Sequence, residues 1–253
     1  MIIPLGDDNS QRTTTPYVTW VFIAINIAVF VFLQGFGGNI EFTYAFSTVP
    51  EEIVSGQDLV TQDQVVQNPV TGARYRRPGL QPTPISVYIT LLTSMFMHGG
   101  LAHILGNLLF LFIFGDNIED RLGHKRYIIF YLLVGILASL AHVFTTAAMG
   151  GNMRVPSLGA SGAISGVLGA YLLLFPRNRV TVILIRILMP VPAVVAIGVW
   201  FLFQLLNGMG ALGSQTGGVA YAAHIGGFIA GLLLVKFFDQ GPQRRTGRYR
   251  MRR

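Results

Sequence analysis

The sequence contains no cysteine, and charged side chains make up only 11% of its 253 residues. Without cysteine the chain can form no disulfide, no thiol nucleophile and no thiolate metal site, so any covalent catalysis needs another group. The charged fraction is less than half that of an average soluble domain, whereas 52% of the residues are hydrophobic. This composition predicts a membrane protein.

Two motif classes are also missing. The sequence has no glycine-rich phosphate-binding loop and no His-Glu-x-x-His pattern, which argues against an ATP-dependent or a zinc-dependent membrane protease. We therefore expect neither a cofactor nor a metal. The net charge of +7 could suggest nucleic acid, but six of the eighteen basic residues are crowded into residues 244–253. That is the position of a cytoplasmic tail after a last span, so we expect contact with the lipid bilayer and none with nucleic acid.

Six apolar segments are candidates for membrane-spanning helices. They are residues 17–33, 101–115, 127–149, 161–175, 190–206 and 219–238. The fourth is about 15 residues long and reaches only ~22 Å, against a hydrocarbon core of ~30 Å. We therefore expect it to be buried inside a bundle. The predicted fold is an all-α membrane protein with six transmembrane helices.

The rest of the chain divides into extramembrane segments. Residues 34–84 are polar and predict a long external loop inside a membrane domain of residues 17–238, with a short segment 1–16 before it and a basic tail 239–253 after it. Two shorter apolar stretches, 85–97 and 180–189, are predicted to form interfacial or partly inserted helices. The second holds Arg186, which would be costly in the bilayer centre.

The basic residues predict the orientation. Six spans put both termini on one side, and that side also receives the basic residues of two inter-helix turns, whereas the opposite side receives four arginines. Those turns hold Arg121, Lys125, Arg126, Arg177 and Arg179, and the four arginines are Arg74, Arg76, Arg77 and Arg154. We expect cytoplasmic termini in a bacterial inner membrane, with spans two, four and six beginning at the outer face.

Two polar residues share one predicted depth. Ser161 begins the fourth span and His224 lies near the start of the sixth, so each is expected roughly 8 Å below the outer boundary. Both lie on faces of small residues, with Gly227 and Gly231 at i+3 and i+7 from the histidine and Gly162 beside the serine. Such faces let helix backbones approach closely, although they are also common as plain packing stripes.

A serine and a histidine inside a membrane predict acyl-transfer chemistry, with Ser161 as nucleophile and His224 as base. The sixth span has no acidic residue before Asp239, so we predict a dyad and not a triad. His103 and Asn107 lie four residues apart and could stabilise an oxyanion together with the Ser161 N–H. They could instead clamp helices, and we interpret His98 as a structural, hydrogen-bonding histidine.

The whole region from 17 to 238 resembles the rhomboid family of intramembrane serine proteases. The resemblance rests on Gly159-Ala160-Ser161-Gly162, on Ala223-His224-Ile225-Gly226-Gly227 with Gly231, on the spacing of His98, His103 and Asn107, and on residues 115–123, which are similar to the family's turn after the second helix. It implies Ser161 and His224 as catalytic residues, an oxyanion hole from Ser161, His103 and Asn107, and structural roles for Glu119 and Arg121. Its substrates would be single-span membrane proteins.

The chain departs from the family pattern in two places. No Trp-Arg pair precedes the second span, and Ser165 stands one turn after the nucleophile, where an aromatic residue is often found. Three other classes of protein fit the sequence less well. A soluble-type serine hydrolase needs a second glycine where Ala163 stands, a small transporter would more often show an inverted repeat, and an inactive rhomboid-like chaperone or trafficking factor would lack Ser161 or His224. The sequence leaves the oligomeric state open.

Overall fold

A computed structural model describes residues 2–67, 72–184, 187–211 and 221–241. The helices of this part are α1 Tyr17–Ala28, α2 Ile40–Ala45, α3 Pro50–Ser55, α4 Thr90–Thr93, α5 Leu101–Leu122, α6 His124–Ala148, α7 Ser161–Leu174, α8 Ala193–Ala211 and α9 Tyr221–Phe238. Its strands are β1 Ile2–Asp7, β2 Gln64–Gln67, β3 Arg74–Arg77, β4 Arg179–Leu184 and β5 Ile187–Pro192. Helix α1 continues in π geometry over Val29–Leu33, and short 3-10 turns flank α4.

Three of these helices are long and apolar enough to cross a membrane, namely α5, α6 and α9, as judged by length and composition within the described residues. The segments Tyr17–Leu33, Ser161–Leu174 and Ala193–Gly208 are apolar but shorter. Helix α7 has only 14 residues, and every residue from Gly162 to Tyr171 is buried. Its predicted burial inside the bundle is therefore confirmed.

The expectation of an all-α fold is wrong, because two sheets accompany the helices. One has the strand order β1-β4-β5, and the other is the β2-β3 hairpin within residues 34–84. The three-stranded sheet lies at one end of the helix bundle, here called the sheet end, where the Asn117 amide of α5 donates to Asp7. The described part of residues 34–100 lies at the opposite end, here called the loop end, where Gln34 follows α1 and its amide donates to the carbonyl of His98.

The predicted helix at 180–189 is also wrong, since the described residues of this stretch belong to β4 and to the start of β5. Its β-branched residues favour an extended chain, and β4 finds partners on both sides, with Ile3 opposite Ile183 and Thr181 opposite Pro190. Proline is tolerated at Pro190 because β5 is an edge strand. Helix α8 consequently begins at Ala193 and not at residue 190.

Helix α5 runs to Leu122, seven residues beyond its predicted end. The polar residues 116–121, which the sequence predicts to lie in a turn, are helical because their charges are paired. Asp116 forms an ion pair with Arg12, and Arg121 Nε lies 2.6 Å from Asp239 Oδ1. The bond from Arg121 lowers the pKa of the Asp239 carboxyl. The helix ends at Gly123, whose φ of +76° suits glycine.

Glu119 ties α1 to α5 at the sheet end. Its carboxylate is fully buried and accepts hydrogen bonds from the backbone N–H groups of Val18 at 2.9 Å and Thr19 at 2.7 Å, and from Thr19 Oγ1 at 2.7 Å. His124 Nδ1 lies 2.6 Å from Oε1, the carboxylate oxygen that also accepts from the Val18 N–H. A negative group is favoured at this place because the first turn of a helix presents unpaired N–H groups.

The remaining helix bounds differ from the predictions by a few residues. Helix α6 starts three residues earlier than predicted and ends one earlier, and α7 ends one residue earlier. Helix α9 begins at Tyr221, and residues 219–220 of the predicted sixth span lie outside the described residues. So do Arg186 and residues 242–253 of the basic tail.

Helices α7 and α9 touch through their backbones. A Cβ added to Gly231 would overlap the carbonyl oxygen of Gly166, and one added to Gly227 would overlap that of Gly162. Two successive turns of α9 therefore lie directly on two successive turns of α7, as the small-residue faces predict.

The backbone contact between α7 and α9 predicts that a single methyl group added at Gly231 strongly lowers the stability of the protein. Gly231→Ala should destabilise the protein by about 1–3 kcal/mol, because overpacking forces the two backbones apart. Gly198→Ala is the matched control, since Gly198 lies on α8 with open space around its Cβ position. Thermal unfolding in detergent should show a lower Tm for Gly231→Ala and an unchanged or higher Tm for Gly198→Ala. Equal Tm values would contradict the backbone contact.

Candidate active site

Ser161 and His224 meet at the loop end of the α7–α9 contact. Ser161 is the first residue of α7, and its Oγ lies 2.8 Å from Nε2 of His224, one turn into α9. Both side chains are half-buried. The two predicted reacting groups, 63 residues apart in the chain, are thus within hydrogen-bond reach, which is the distance a proton transfer from serine to histidine requires.

The loop before Ser161 is held from both sides. The Gly159 N–H donates to the carbonyl of Ser94 at 2.8 Å, and Thr48 and Ser157 exchange backbone hydrogen bonds at 3.0 and 2.8 Å. Gly159 itself has a φ of +129°, a conformation that L-residues rarely adopt. These bonds fix the start of α7, whose first N–H groups have no acceptor within their own helix and face the serine.

His103 of α5 comes close to the serine from the other side. A Cβ on Gly159 would lie 2.9 Å from His103 Nε2 and 3.6 Å from Ser161 Oγ, so the imidazole and the serine share the space that this glycine leaves open. His103 Nδ1 accepts from the Gly99 N–H at 3.3 Å. In a neutral ring that bond leaves the proton on Nε2, and the nitrogen beside Gly159 is then a donor.

Asn107 lies one turn further along α5 and is 92% buried, with 8% of its surface exposed. Its Nδ2 has no hydrogen-bond partner within the described part of the chain. A buried amide without an acceptor is costly, and it is a donor that a negatively charged group could use. This property agrees with the predicted contribution of Asn107 to an oxyanion hole, which remains a prediction.

The ring of His98 does not form the hydrogen bonds expected of it. It is fully buried, and neither ring nitrogen has a partner among the described residues. The ring instead packs edge-on against Phe30 and His103, at centroid distances of 6.5 and 5.1 Å. The hydrogen bonds of His98 are made by its backbone, whose N–H and carbonyl both pair with the amide of Gln34.

Helix α8 holds His224 from the side opposite the serine. Gln204 Oε1 lies 2.7 Å from His224 Nδ1, and the ring of Trp200, one helical turn earlier, lies 6.3 Å from the imidazole at an interplanar angle of 35°. Ser165 does not contact His224 through a hydrogen bond; its Oγ donates to the carbonyl of Ser161 at 2.6 Å. The sequence-based reasoning missed Gln204, although it is the only amide in the apolar segment 190–206.

The assembled groups have the properties that acyl transfer needs. A hydroxyl faces an imidazole nitrogen, and the His103 ring of α5 and the N-terminus of α7 lie beside the same hydroxyl. Within the described residues, no three His, Asp or Glu side chains are grouped as metal ligands would be.

Comparisons with known proteins find similar sequences. The family model described as Rhomboid domain matches residues 86–240. Rhomboid protein 1, mitochondrial, of Saccharomyces cerevisiae is 30% identical over 171 residues, which cover 67% of this chain and 47% of that protein. Rhomboid protease GluP of Bacillus subtilis is 30% identical over 215 residues, which cover 83% of this chain and 35% of that protein.

A human relative is similar in the same way. Presenilin-associated rhomboid-like protein, mitochondrial, of Homo sapiens is 28% identical over 200 residues, covering 72% of this chain and 48% of that protein. The chain thus spans half or less of the length of these curated relatives. Residues 86–240, which the family model matches, include Ser161 and His224.

Proposed function

Because this chain belongs to the rhomboid family and is an integral membrane protein with a multispan helical fold, we propose that it is an intramembrane serine endopeptidase. The observation that carries the proposal is the 2.8 Å separation of Ser161 Oγ and His224 Nε2. A hydrogen bond between a serine and a histidine is common on protein surfaces, but inside an apolar bundle both groups are costly to bury unless they have a function.

The proposed reaction begins with proton transfer. His224 Nε2 takes the proton from the Ser161 hydroxyl while Oγ attacks the carbonyl carbon of a peptide bond, which gives a tetrahedral intermediate and an imidazolium. The imidazolium then returns the proton to the leaving amine, and the peptide bond breaks to form an acyl-enzyme. Water, deprotonated by the same imidazole, attacks the ester and releases the carboxylic acid together with free serine.

The negative charge of the intermediate needs donors fixed in advance. The proposed oxyanion hole consists of the Ser161 N–H, His103 Nε2–H and Asn107 Nδ2–H. Its support is the bond from Gly99 to His103, which leaves Nε2 as the donor, and the unpaired Nδ2 of Asn107. Because these donors sit on helices and not on mobile loops, little reorganisation is needed as charge develops.

The proposed topology places the six helical segments across the bilayer, with the sheet end and both termini in the cytoplasm and the loop end outside. Its support is the distribution of basic residues, since Arg12, Arg121, Lys125 and Arg126 all lie near the sheet end. Ser161 then faces the outer half of the membrane, and the proposed substrates are single-span membrane proteins whose outer helix end unwinds readily. A well-formed helix has all its backbone groups satisfied and resists entry of a peptide bond into the site.

The dyad predicts the outcome of labelling with a fluorophosphonate, a reagent that phosphonylates activated serines. The wild type should be labelled, and Ser161→Ala and His224→Ala should each lose labelling and cleavage of a reconstituted single-span substrate, because each removes half of a unit that acts together. Ser165→Ala is the matched control, a buried serine one turn away that is bonded to its own helix. Labelling of Ser161→Ala, or none of the wild type, would refute the proposal.

The oxyanion donors predict a smaller loss. His103→Ala and Asn107→Ala should each lower kcat about 10²- to 10³-fold, or about 2.7–4 kcal/mol of transition-state stabilisation, because the dyad remains. The measurement is single-turnover cleavage in liposomes, with Tm determined in parallel. Unchanged rates accompanied by a lower Tm would show instead that the two residues clamp helices.

The topology predicts which engineered cysteines react from outside. Single cysteines at exposed positions such as Val65 in β2 should react with an impermeant maleimide on intact cells, and cysteines placed at Thr246 should react only after the cells are opened. Because the natural sequence has no cysteine, every signal comes from the engineered site. Labelling of residue 246 from outside would reverse the orientation and place Ser161 toward the cytoplasm.

A further inference from the structure

The nitrogen of His224 that faces away from the serine has a partner of its own. Gln204 reaches across from α8, and its Oε1 lies 2.7 Å from His224 Nδ1, while Nε2 of the same ring lies 2.8 Å from Ser161 Oγ. The three side chains therefore form one line of hydrogen bonds through α8, α9 and α7. No carboxylate takes part in this line.

We infer that Gln204 is a positioning residue that holds His224 in the tautomer and orientation needed to accept a proton from Ser161. The inference rests on the proposed protease function. An amide oxygen can only accept, so the bond requires a hydrogen on Nδ1 of the neutral ring. Nε2 then carries the lone pair, and the Ser161 hydroxyl is the donor in the second bond. This is the arrangement in which the histidine acts as a base.

The position of Gln204 explains how the imidazole ring of His224 is held, although α7 provides few contacts to that ring. Ser165, one turn after the nucleophile, is bonded to its own helix, so α8 supplies the contacts instead. Trp200 and Gln204 are four residues apart and lie on one face of α8. The tryptophan packs on the imidazole, and the glutamine fixes the rotation of the same ring.

The Gln204 amide also allows a specific test, because its oxygen and its NH₂ group favour opposite tautomers of His224. If the amide turned by 180°, its NH₂ group would donate to Nδ1 and the ring proton would move to Nε2, where it blocks proton uptake from the serine. Gln204→Glu has a similar shape, and its ionised carboxylate can only accept, so it keeps the productive tautomer. Gln204→Met has a similar length and offers only the weakly accepting thioether sulfur in place of the amide oxygen.

The charge introduced by Gln204→Glu has a second expected effect. The titratable side chains that face His224 are His103 from α5, His142 from α6 and Tyr221 from its own helix, and the described part of the chain brings no acid to it. A carboxylate at position 204 would stabilise the imidazolium. The acidic limb of the rate against pH should therefore move to higher pH in Gln204→Glu, which a purely structural role of residue 204 would not produce.

The experiment compares wild type, Gln204→Met, Gln204→Glu and a matched control, each reconstituted in liposomes with one single-span substrate. The control is Asn207→Met, which removes an exposed amide of the same helix that donates to the carbonyl of Phe203. Gln204→Met should lower kcat about 10- to 100-fold, the loss that follows removal of the hydrogen-bond partner that orients a metal-bound histidine. Its KM should change little, Gln204→Glu should recover most of the rate with a shifted pH profile, and Asn207→Met should match wild type.

The outcomes separate this inference from the function on which it rests. If the wild type is labelled by fluorophosphonate through Ser161 and Gln204→Met keeps the wild-type kcat and pH profile, the inference is overturned and the protease function stands. If the wild type shows no Ser161-dependent labelling, both are overturned. Should Gln204→Met prove too unstable to purify, the pH profile of Gln204→Glu decides, since an unshifted profile contradicts a bond between residue 204 and the imidazole.

Discussion

The backbone contact between α7 and α9 is the constraint on which the site depends. Gly227 and Gly231 lie three and seven residues after His224, on the face of α9 that touches the carbonyl groups of Gly162 and Gly166. Because backbones in contact can neither approach further nor slide without overlap, the first residue of α7 and the histidine of α9 are held at one distance. The 2.8 Å between Ser161 and His224 is a consequence of this contact.

The two ends of the bundle are stabilised in different ways. At the sheet end the helices are joined by charges, since Glu119 binds the first turn of α1 and Arg121 pairs with Asp239 just after α9. At the loop end a largely exposed ion pair joins Arg154 to Glu51, but the contacts around Ser161 are small-residue packing and neutral hydrogen bonds, such as that from Gly159 to Ser94. The polar groups of the proposed active site thus stand in a region where charge is scarce and each orientation is set by a neutral partner.

Much of this arrangement could be predicted from the sequence, because the relevant signals are local. The four-residue spacing of small residues and the position of Ser161 and His224 near the starts of their spans follow from one helix at a time. The sheet could not be predicted in this way, because β1 and β4 lie some 170 residues apart and their pairing depends on the bundle between them. The full length of α5 was missed for the same reason, since the partners of Asp116 and Arg121 come from distant segments. Gln204 has no fixed spacing to His224, so only the structure brings the two together.

A neutral amide is the orienting group that suits this environment. Glu119 is a fully buried carboxylate, but it accepts from two backbone N–H groups and the Thr19 hydroxyl and contacts His124, which together offset the cost of burying a charge. Beside His224 the described residues offer no comparable set of donors, so a carboxylate there would depend on the imidazole alone and would be costly while the ring is neutral. Gln204 fixes the same tautomer without that cost. The imidazolium of the proposed reaction is then less stabilised than it would be beside a carboxylate, which favours rapid return of the proton to the leaving amine.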